Sequence, residues 1–487
     1  MKLSLGRFFL TVAVAISGMA LFTITTATAS AGEVEDFVAK LKAHYQKMPP
    51  LKVFSMTHNY LYLGGNGAYR SWDYQAPNRY TAFKVTEFDL EKKHYVENVI
   101  HNYAGGRRFD ETHFQNDTDS FRYAKNGLPH GRRLVRQSVD DFESFKNIIM
   151  VNIDFFAVKP LLEESNTSGT IKFHRNKMSG KTTLIHKPAT DKVVEYVFSD
   201  NPLRLLSINN KSMRRIYFYD DYQTTNGFSF ARSIVQYYNG ATTPTFIKRI
   251  ESLDILEEID PAKLQIPQGY GPIIPINDGI LVSKEIAPDL YLVTDSSALR
   301  NVLFKVNGDE IAVFGAPVNT ELAEQTIKLI LGQFPKKKIA SVYVTHPHSD
   351  HIAGLPAYAK RGIMIRADAY SIAGIKAYPR FIADIATFKF QVIEHNQMID
   401  GIHFYVLENT HSKRQSFVHF KDSGIIYQAD FLDVAFDNTM AKELPSYSKT
   451  FIDFVRNRKL KFSRIVGHHR NNNVSLDVMN ITDEANM

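Results

Sequence analysis

The chain has 487 residues, 44% hydrophobic and 22% charged, so at roughly 150 residues per domain it should form two or three globular domains, not a disordered chain or a multi-span membrane protein. Its 58 Lys and Arg against 51 Asp and Glu leave a net charge of +7, too thin over this length to point to a nucleic-acid partner. With no cysteine there are no disulfides, thiolate metal ligands, iron–sulfur clusters, cysteine nucleophile or lipoprotein anchor, so any metal must be held by His, Asp or Glu.

Lys2 and Arg7 precede an apolar run from Phe8 to Phe22, followed by Ala27-Thr28-Ala29 and Ala29-Ser30-Ala31. A basic start, an apolar stretch and small-x-small cleavage sites predict a secretory signal peptide over 1–31. The mature chain is then periplasmic or secreted, with no membrane span left. Val34, Phe37, Val38, Leu41 and Tyr45 recur at helical spacing, which predicts an amphipathic helix over 34–48, ended by Met48-Pro49-Pro50. From Lys52 to about Leu256 the pattern becomes one of strands: Val53–Leu63, Tyr80–Phe88, His94–Tyr103, Val193–Phe198, Arg214–Tyr219, Phe228–Tyr238 and Phe246–Leu253. Asn226-Gly227 and Asn239-Gly240 are turn pairs, and Gly64-Gly65-Asn66-Gly67 is a hairpin tip. A helical stretch, about Asp140 to Glu164, interrupts this mostly antiparallel β domain.

Pro261, Pro267, Pro272 and Pro275, with Gly269 and Gly271, mark a linker. The expected domains are therefore 32–260, β-rich, and 283–487, with 261–282 between them. Beyond the linker come strands Leu290–Val293, Val302–Val306 and Glu310–Phe314, a helix over 319–333 and the strand Ile339–Val344, an α/β rhythm. Lys336-Lys337-Lys338 is a solvated charge run.

Nine of the 17 histidines lie between His346 and His469, the densest group being Thr345-His346-Pro347-His348-Ser349-Asp350-His351, just after a strand. In an extended loop, residues i and i+2 point the same way, so His346 and His348 can converge on one point, with Asp350 and His351 turning toward a second. Imidazole and carboxylate suit zinc, and also manganese or iron. His411, Asp430 and His468 each follow the end of an apolar run, where α/β folds place their sites. His395, His403 and His419 fall outside any ligand spacing and are expected to be surface or hydrogen-bonded residues.

His-x-His-x-Asp-His after a strand, then His411, Asp430 and His468 in that order, resembles the metallo-β-lactamase superfamily over residues 283–470. The resemblance implies an αββα sandwich in the C-terminal half, behind an N-terminal antiparallel β domain with an amphipathic helix. It also implies two divalent metal ions, zinc foremost. His346, His348 and His411 would hold the first ion, and Asp350, His351 and His468 the second, with Asp430 bridging and His469 the alternative to His468. The chemistry implied is metal-assisted hydrolysis of a small-molecule ester, lactone, thioester or phosphoester by a hydroxide shared between the ions, with Asp350 and Asp430 as its carboxylates. Many members carry Asp-x-Gly where this chain has Val313-Phe314-Gly315-Ala316-Pro317, so a carboxylate that orients ligands is missing. The Ala-Pro variant resembles a branch of exported zinc metallohydrolases associated with quinoprotein systems. Lys413 and Arg414, beside His411, either meet an anionic substrate or form a solvated edge. The order of helix and aromatic sheet in the N-terminal half, with Tyr217-Phe218-Tyr219-Asp220-Asp221-Tyr222, resembles a lipoprotein-carrier half-barrel, and hence a hydrophobic-ligand binder as the alternative function.

Overall fold

The computed structural model describes residues 31–63, 73–75, 79–165, 167–188, 192–238, 240–441 and 443–484. The expected signal segment before Ala31, Trp72, the Gly64–Gly67 tip and Asn239 of the Asn239-Gly240 turn lie outside them.

The helix Ala31–Gln46 buries Val34, Phe37, Val38, Leu41 and Tyr45, the stripe that its i, i+3, i+4, i+7 spacing requires. These side chains lie on one face of a 14-stranded sheet, against Phe54, Met56, Phe88, Phe198, Phe228 and Phe230. The sheet is antiparallel except at one edge, and its first strand, Val53–Tyr62, pairs in the middle with its late strand Phe246–Ile255. Two helices, Phe142–Met150 and Asp154–Leu162, fill the predicted helical stretch and close the same apolar face with Ile149, Ile153, Val158 and Leu161. The apolar face of the sheet is thus already packed with side chains.

Several strands carry no clear apolar run. Arg108–Gln115 is the instructive one: Glu111, buried, and His113, half-buried, stand on one face, so the hydrophobic alternation that marks a half-buried strand is absent. The predicted linker is also ordered. Asp260 caps a short turn at Pro261–Leu264, Leu264 packs with Val96, Phe114 and Phe121, and Ile273–Ile274 pairs in parallel with Leu134–Arg136 as the sheet's edge. Proline and glycine here shape a packed crossing of the sheet edge.

Two further sheets follow. Seven strands run from Val282–Ala287 to Lys389–Val392, antiparallel up to Glu310–Phe314 and parallel beyond it. Five run from Gln397–Ile399 to Arg464–Gly467. They share a core in which Leu292, Leu303, Phe314 and Tyr343 of the first meet Phe404, Val418, Phe420 and Tyr427 of the second. The other face of the seven-stranded sheet is covered by Ala323, Ile327 and Ile330 of the helix Thr320–Gln333, capped by Asn319, and by Ile372 and Ile375 of Ala369–Ala377. The other face of the five-stranded sheet is covered by Phe451, Ile452 and Val455 of Ser446–Asn457. No helix among the described residues is long and apolar enough to cross a membrane.

Candidate metal centre

Four loops, each leaving the C-terminal end of a strand, meet at one edge of the two smaller sheets. Thr345–His351 follows Lys338–Tyr343, Asn409–Lys413 follows Ile402–Glu408, Ala429–Leu432 follows Ile425–Gln428, and His468–Arg470 follows Arg464–Gly467. Their local geometry is fixed by backbone needs. The Asn409 side chain accepts from the backbone N–H of His411 at 2.8 Å and of Ser412 at 3.1 Å, an Asx turn that aims His411 inward. Gln428 Oε1 accepts from Phe431 and Leu432 N–H, holding Asp430 between them in a left-handed conformation (φ 60°) that Asp tolerates better than most residues. Asn301 N–H donates to the His468 carbonyl at 2.8 Å, tying the last loop to the seven-stranded sheet.

The donors gather in two groups. His346, His348, His411 and Asp430 place ligand-type atoms within 4.8 Å of one another, as do His351, His468 and His469. Asp430 lies between the groups. Its Oδ2 is 3.1 Å from His411 Nε2, 3.1 Å from His351 Nε2 and 3.6 Å from His346 Nε2, and its Oδ1 is 2.9 Å from His469 Nε2. Ring nitrogens also face one another: His346 Nε2 is 3.0 Å from His348 Nδ1 and 3.3 Å from His411 Nε2. So many imidazole nitrogens turned to one spot, with a single carboxylate among them, leave several lone pairs without protons to accept.

The orientation of the rings comes from hydroxyls. The Tyr427 hydroxyl lies 2.8 Å from His468 Nδ1, and Thr345 Oγ1 lies 2.9 Å from His346 Nδ1. Gly315 makes the first contact possible: with φ 110°, a Cβ there would stand 2.5 Å from the Tyr427 hydroxyl and 3.2 Å from His468 Nδ1. The far nitrogen of His468, Nε2, is buried and has no hydrogen-bond partner.

Burial holds the His346 and His468 rings well below the usual histidine pKa, with neighbouring imidazoles adding to it. The same causes bring His348 down to about 3, and burial with Arg300 nearby brings His469 to about 4. These rings are neutral at pH 7, the form in which imidazole can donate a lone pair to a metal. Burial works against the charge of Asp430, yet the histidines around it, His469 and His351 foremost, hold its carboxyl well below the ordinary range. Asp350 behaves likewise, with His351 and Arg300 outweighing burial.

All seven residues expected from the sequence therefore lie at this edge, but not on equal terms. Asp350 stands outside both donor groups: its Oδ2 is 3.7 Å from His351 Nε2 and 3.4 Å from the Arg300 guanidinium. His468 and His469 both bring a ring nitrogen into the second group. His395 and His419 sit elsewhere, each held by a backbone carbonyl, of Val406 at 2.8 Å and of Lys461 at 3.0 Å. Lys413 pairs with Asp73 at 3.2 Å.

Sequence reasoning missed four contributors. Arg300 touches His469 and Asp350, and Tyr427 touches His468. Arg107 and Arg470 both pair with Asp433, and Arg107 also lies 3.9 Å from Asp430 Oδ2. Arg107 follows Gly105-Gly106, a pair that signals a turn but says nothing of where the turn docks.

No protein-family model matches the chain, and no curated protein matches it. Among solved structures it is similar to the metallo-beta-lactamase FIM-1 from Pseudomonas aeruginosa in the mono-zinc form, at 17% identity over 42% of this chain and 94% of that one, TM-score 0.34. A metallo beta lactamase from Hirschia baltica matches at 13% identity over 42% and 97%, TM-score 0.33. One from Erythrobacter litoralis, with beta mercaptoethanol in its active site, matches at 16% over 43% and 98%, TM-score 0.34.

Proposed function

We propose that the chain is an exported, metal-dependent hydrolase of the metallo-β-lactamase superfamily. In this reading its C-terminal part, 283–487, is an αββα sandwich holding two divalent ions, zinc foremost, and it acts on an ester, lactone, thioester or phosphoester in the periplasm or outside the cell. The observation that carries the proposal is the gathering of six imidazoles in two adjoining groups with Asp430 between them, and His468 Nε2 buried and unpartnered. A buried ring nitrogen such as His468 Nε2 is costly to leave unsatisfied unless a ligand meets it, and the all-nitrogen-and-oxygen donor set suits zinc.

His346, His348 and His411, with one oxygen of Asp430, would hold the first ion; His351, His468 and His469, with the other oxygen, the second. Asp350 sits close enough to His351 to join the second set or to orient it. When bound, such ions polarise a carbonyl or phosphoryl oxygen and lower the pKa of water. The chain's own part is to keep each lone pair pointed inward. For His468 to offer Nε2, its Nδ1–H must donate to the Tyr427 hydroxyl, and for His346 to offer Nε2, its Nδ1–H must donate to Thr345 Oγ1. Asp430, ionised by its surroundings, supplies the one negative charge common to both sets.

Elemental analysis of protein purified without chelator should give two zinc ions per chain. A panel of chromogenic esters, lactones, phosphodiesters and β-lactams should show turnover that chelator abolishes and added zinc restores. A metal content near zero with no uptake on titration would sink the proposal.

A further inference from the structure

The strands His94–Asn102 and Arg108–Gln115 belong to the 14-stranded sheet, yet the corner between them reaches the metal centre. Gly105 and Gly106 both have positive φ, 80° and 86°. A Cβ on Gly105 would stand 2.8 Å from the Thr410 carbonyl oxygen and 3.3 Å from Tyr447 Cδ1. Thr410 precedes His411, and the Tyr447 ring centre is 5.0 Å from that of His411. The corner therefore lies flush against the loop that presents one candidate ligand, and only glycine permits the approach.

This delivers the Arg107 guanidinium to the floor of a cavity of about 260 Å³, whose wall includes Arg108, Asn126, Asp433, Glu443 and Tyr447. Arg107 pairs with Asp433 and stacks 4.8 Å from the centre of the Phe109 ring, while its Nε is buried without a partner. Arg470 bonds the other oxygen of Asp433 at 2.5 Å. Two guanidiniums thus share one carboxylate. The remaining counter-charge within reach is Asp430, 3.9 Å from Arg107, and the proposed function commits Asp430 to metal. Asp110, also on the wall, faces Lys125 at 3.7 Å. Of the buried charges here, Arg107 and Arg470 then exceed Asp433 by one positive charge, while the exposed Arg108 and Glu443 of the wall offset each other, beside a centre that metal makes more positive still. A buried charge in excess is costly until an anion meets it.

We propose that this cavity receives an oxyanionic group, a carboxylate or phosphate, carried by the substrate outside the bond that is cleaved, and that Arg107 selects for it. The inference rests on the hydrolase reading. It makes the N-terminal sheet part of the substrate site, with specificity set by a residue more than 230 positions from the first candidate ligand.

The test compares 4-nitrophenyl butyrate with 4-nitrophenyl hemisuccinate, which share the leaving group and chain length but differ by a terminal carboxylate. The zinc-loaded wild type should favour the hemisuccinate by about tenfold or more in kcat/KM, the scale of one charge-assisted contact, with the difference in KM. Arg107→Gln should remove the preference and Arg107→Lys should return part of it. Arg108→Glu, at an exposed position of the wall where folding is not at stake, should reverse it. As a readout independent of turnover, succinate should raise the melting temperature of the zinc-loaded wild type and not that of Arg107→Gln. Zinc binding with equal turnover of the two esters, or with no melting shift in succinate, overturns this inference and leaves the hydrolase reading standing. No zinc uptake overturns both.

Discussion

Among the described residues, a cluster of histidine and carboxylate in the N-terminal half and the one at the metal centre differ in what balances the charge. In the 14-stranded sheet, the registers Glu97↔His113 and His113↔Arg122 line up polar residues on one face. There Lys84 Nζ is 2.9 Å from Glu97, and Arg122 is 3.5 Å from Glu111, with His113 and His130 beside them. Every carboxylate in this lattice has its own lysine or arginine, on a neighbouring strand of the same sheet. At the metal centre, Asp430 is faced by four imidazoles from three separate loops, and its nearest guanidinium is already paired with Asp433. Depressed histidines occur in both: burial brings His101, His113 and His130 to about 4, like His469. A perturbed histidine is therefore no mark of function by itself. The difference lies in the partners: the closest neighbours of Asp430 are imidazoles, with the Arg107 guanidinium farther off at 3.9 Å and shared with Asp433.

The largest effects should separate the clusters in opposite ways. Asp430→Asn replaces one anionic oxygen with an amide nitrogen that cannot ligate, so zinc affinity should fall by at least about 100-fold, the upper end of what even indirect ligand support is worth, while the metal-free protein stays folded. Glu97→Gln strands the Lys84 ammonium and should cost about 3–5 kcal/mol of stability, with zinc affinity unchanged. Chelator-competition titrations and urea unfolding of the two variants give the four numbers. If Glu97→Gln loses zinc, or Asp430→Asn keeps both ions, the contrast drawn between the clusters is wrong.

That contrast was half legible in the sequence. His-x-His-x-Asp-His after a strand, with His411, Asp430 and His468 each at a strand end, is a local pattern, because loops leaving parallel strands bring their first residues to a common edge. The N-terminal lattice was not legible, since Glu111 and His113 erase the apolar alternation that would have revealed their strand. Nor was Arg107, whose place depends on how a glycine corner docks on a loop some 300 residues later, a tertiary fact with no local signature. Nor was the support of the rings legible: hydroxyls of Thr345 and Tyr427 meet His346 and His468, and Gly315 clears the space for one of them. The Pro261–Pro275 stretch was legible as turns, but its packing against Val96, Phe114 and Phe121 was not, because proline and glycine mark turns whether or not the turns are packed.

Acid should act on both clusters with one sign. His101, His113, His130, His348 and His469 have folded pKa values of about 3 to 4, below the unfolded value of 6.5. Between these limits the unfolded chain takes up protons that the folded one refuses, so stability falls as pH drops from about 6.5 toward 4. Asp154, buried under Tyr45 and Tyr222 and pushed up to about 6, works the other way: the folded state gains a proton below that pH while the unfolded carboxyl does not until about 3.8. Asp368 is raised by burial too, but two carboxyls against five imidazoles leave the net slope set by histidine. Urea midpoints of chelator-treated protein at pH 7, 6 and 5 should decline, and zinc should steepen the decline, because its ligands must stay unprotonated. A flat profile would mean that these rings are protonated in the folded state.

A smaller effect is expected one step back from the ligands. Tyr427→Phe removes the hydroxyl 2.8 Å from His468 Nδ1 while keeping the ring in the inter-sheet core. Zinc affinity should drop by about tenfold, within the range for partners that orient a ligand. An unchanged affinity would show that packing alone fixes His468.

The smallest effect belongs to a histidine from the same dense stretch of sequence. His419 lies in the strand Arg414–Phe420, which starts just past His411 and carries the chain away from the metal edge. Five residues beyond Arg414, at about 3.3 Å per residue, it should lie roughly 17 Å farther along the sheet. It is buried, and its Nε2 meets the Lys461 carbonyl at 3.0 Å. Its depressed pKa has burial as the largest cause, as for the histidines at the centre. By pKa direction and burial alone it would be grouped with the ligands; by its partner, a backbone carbonyl that asks for an N–H, it belongs with the structural lattice. Glutamine can supply an N–H there, so His419→Gln should cost no more than about 1 kcal/mol, the worth of one hydrogen bond, and leave zinc stoichiometry and affinity as in the wild type. Loss of zinc from this variant would show that partner identity does not sort ligand histidines from structural ones in this fold.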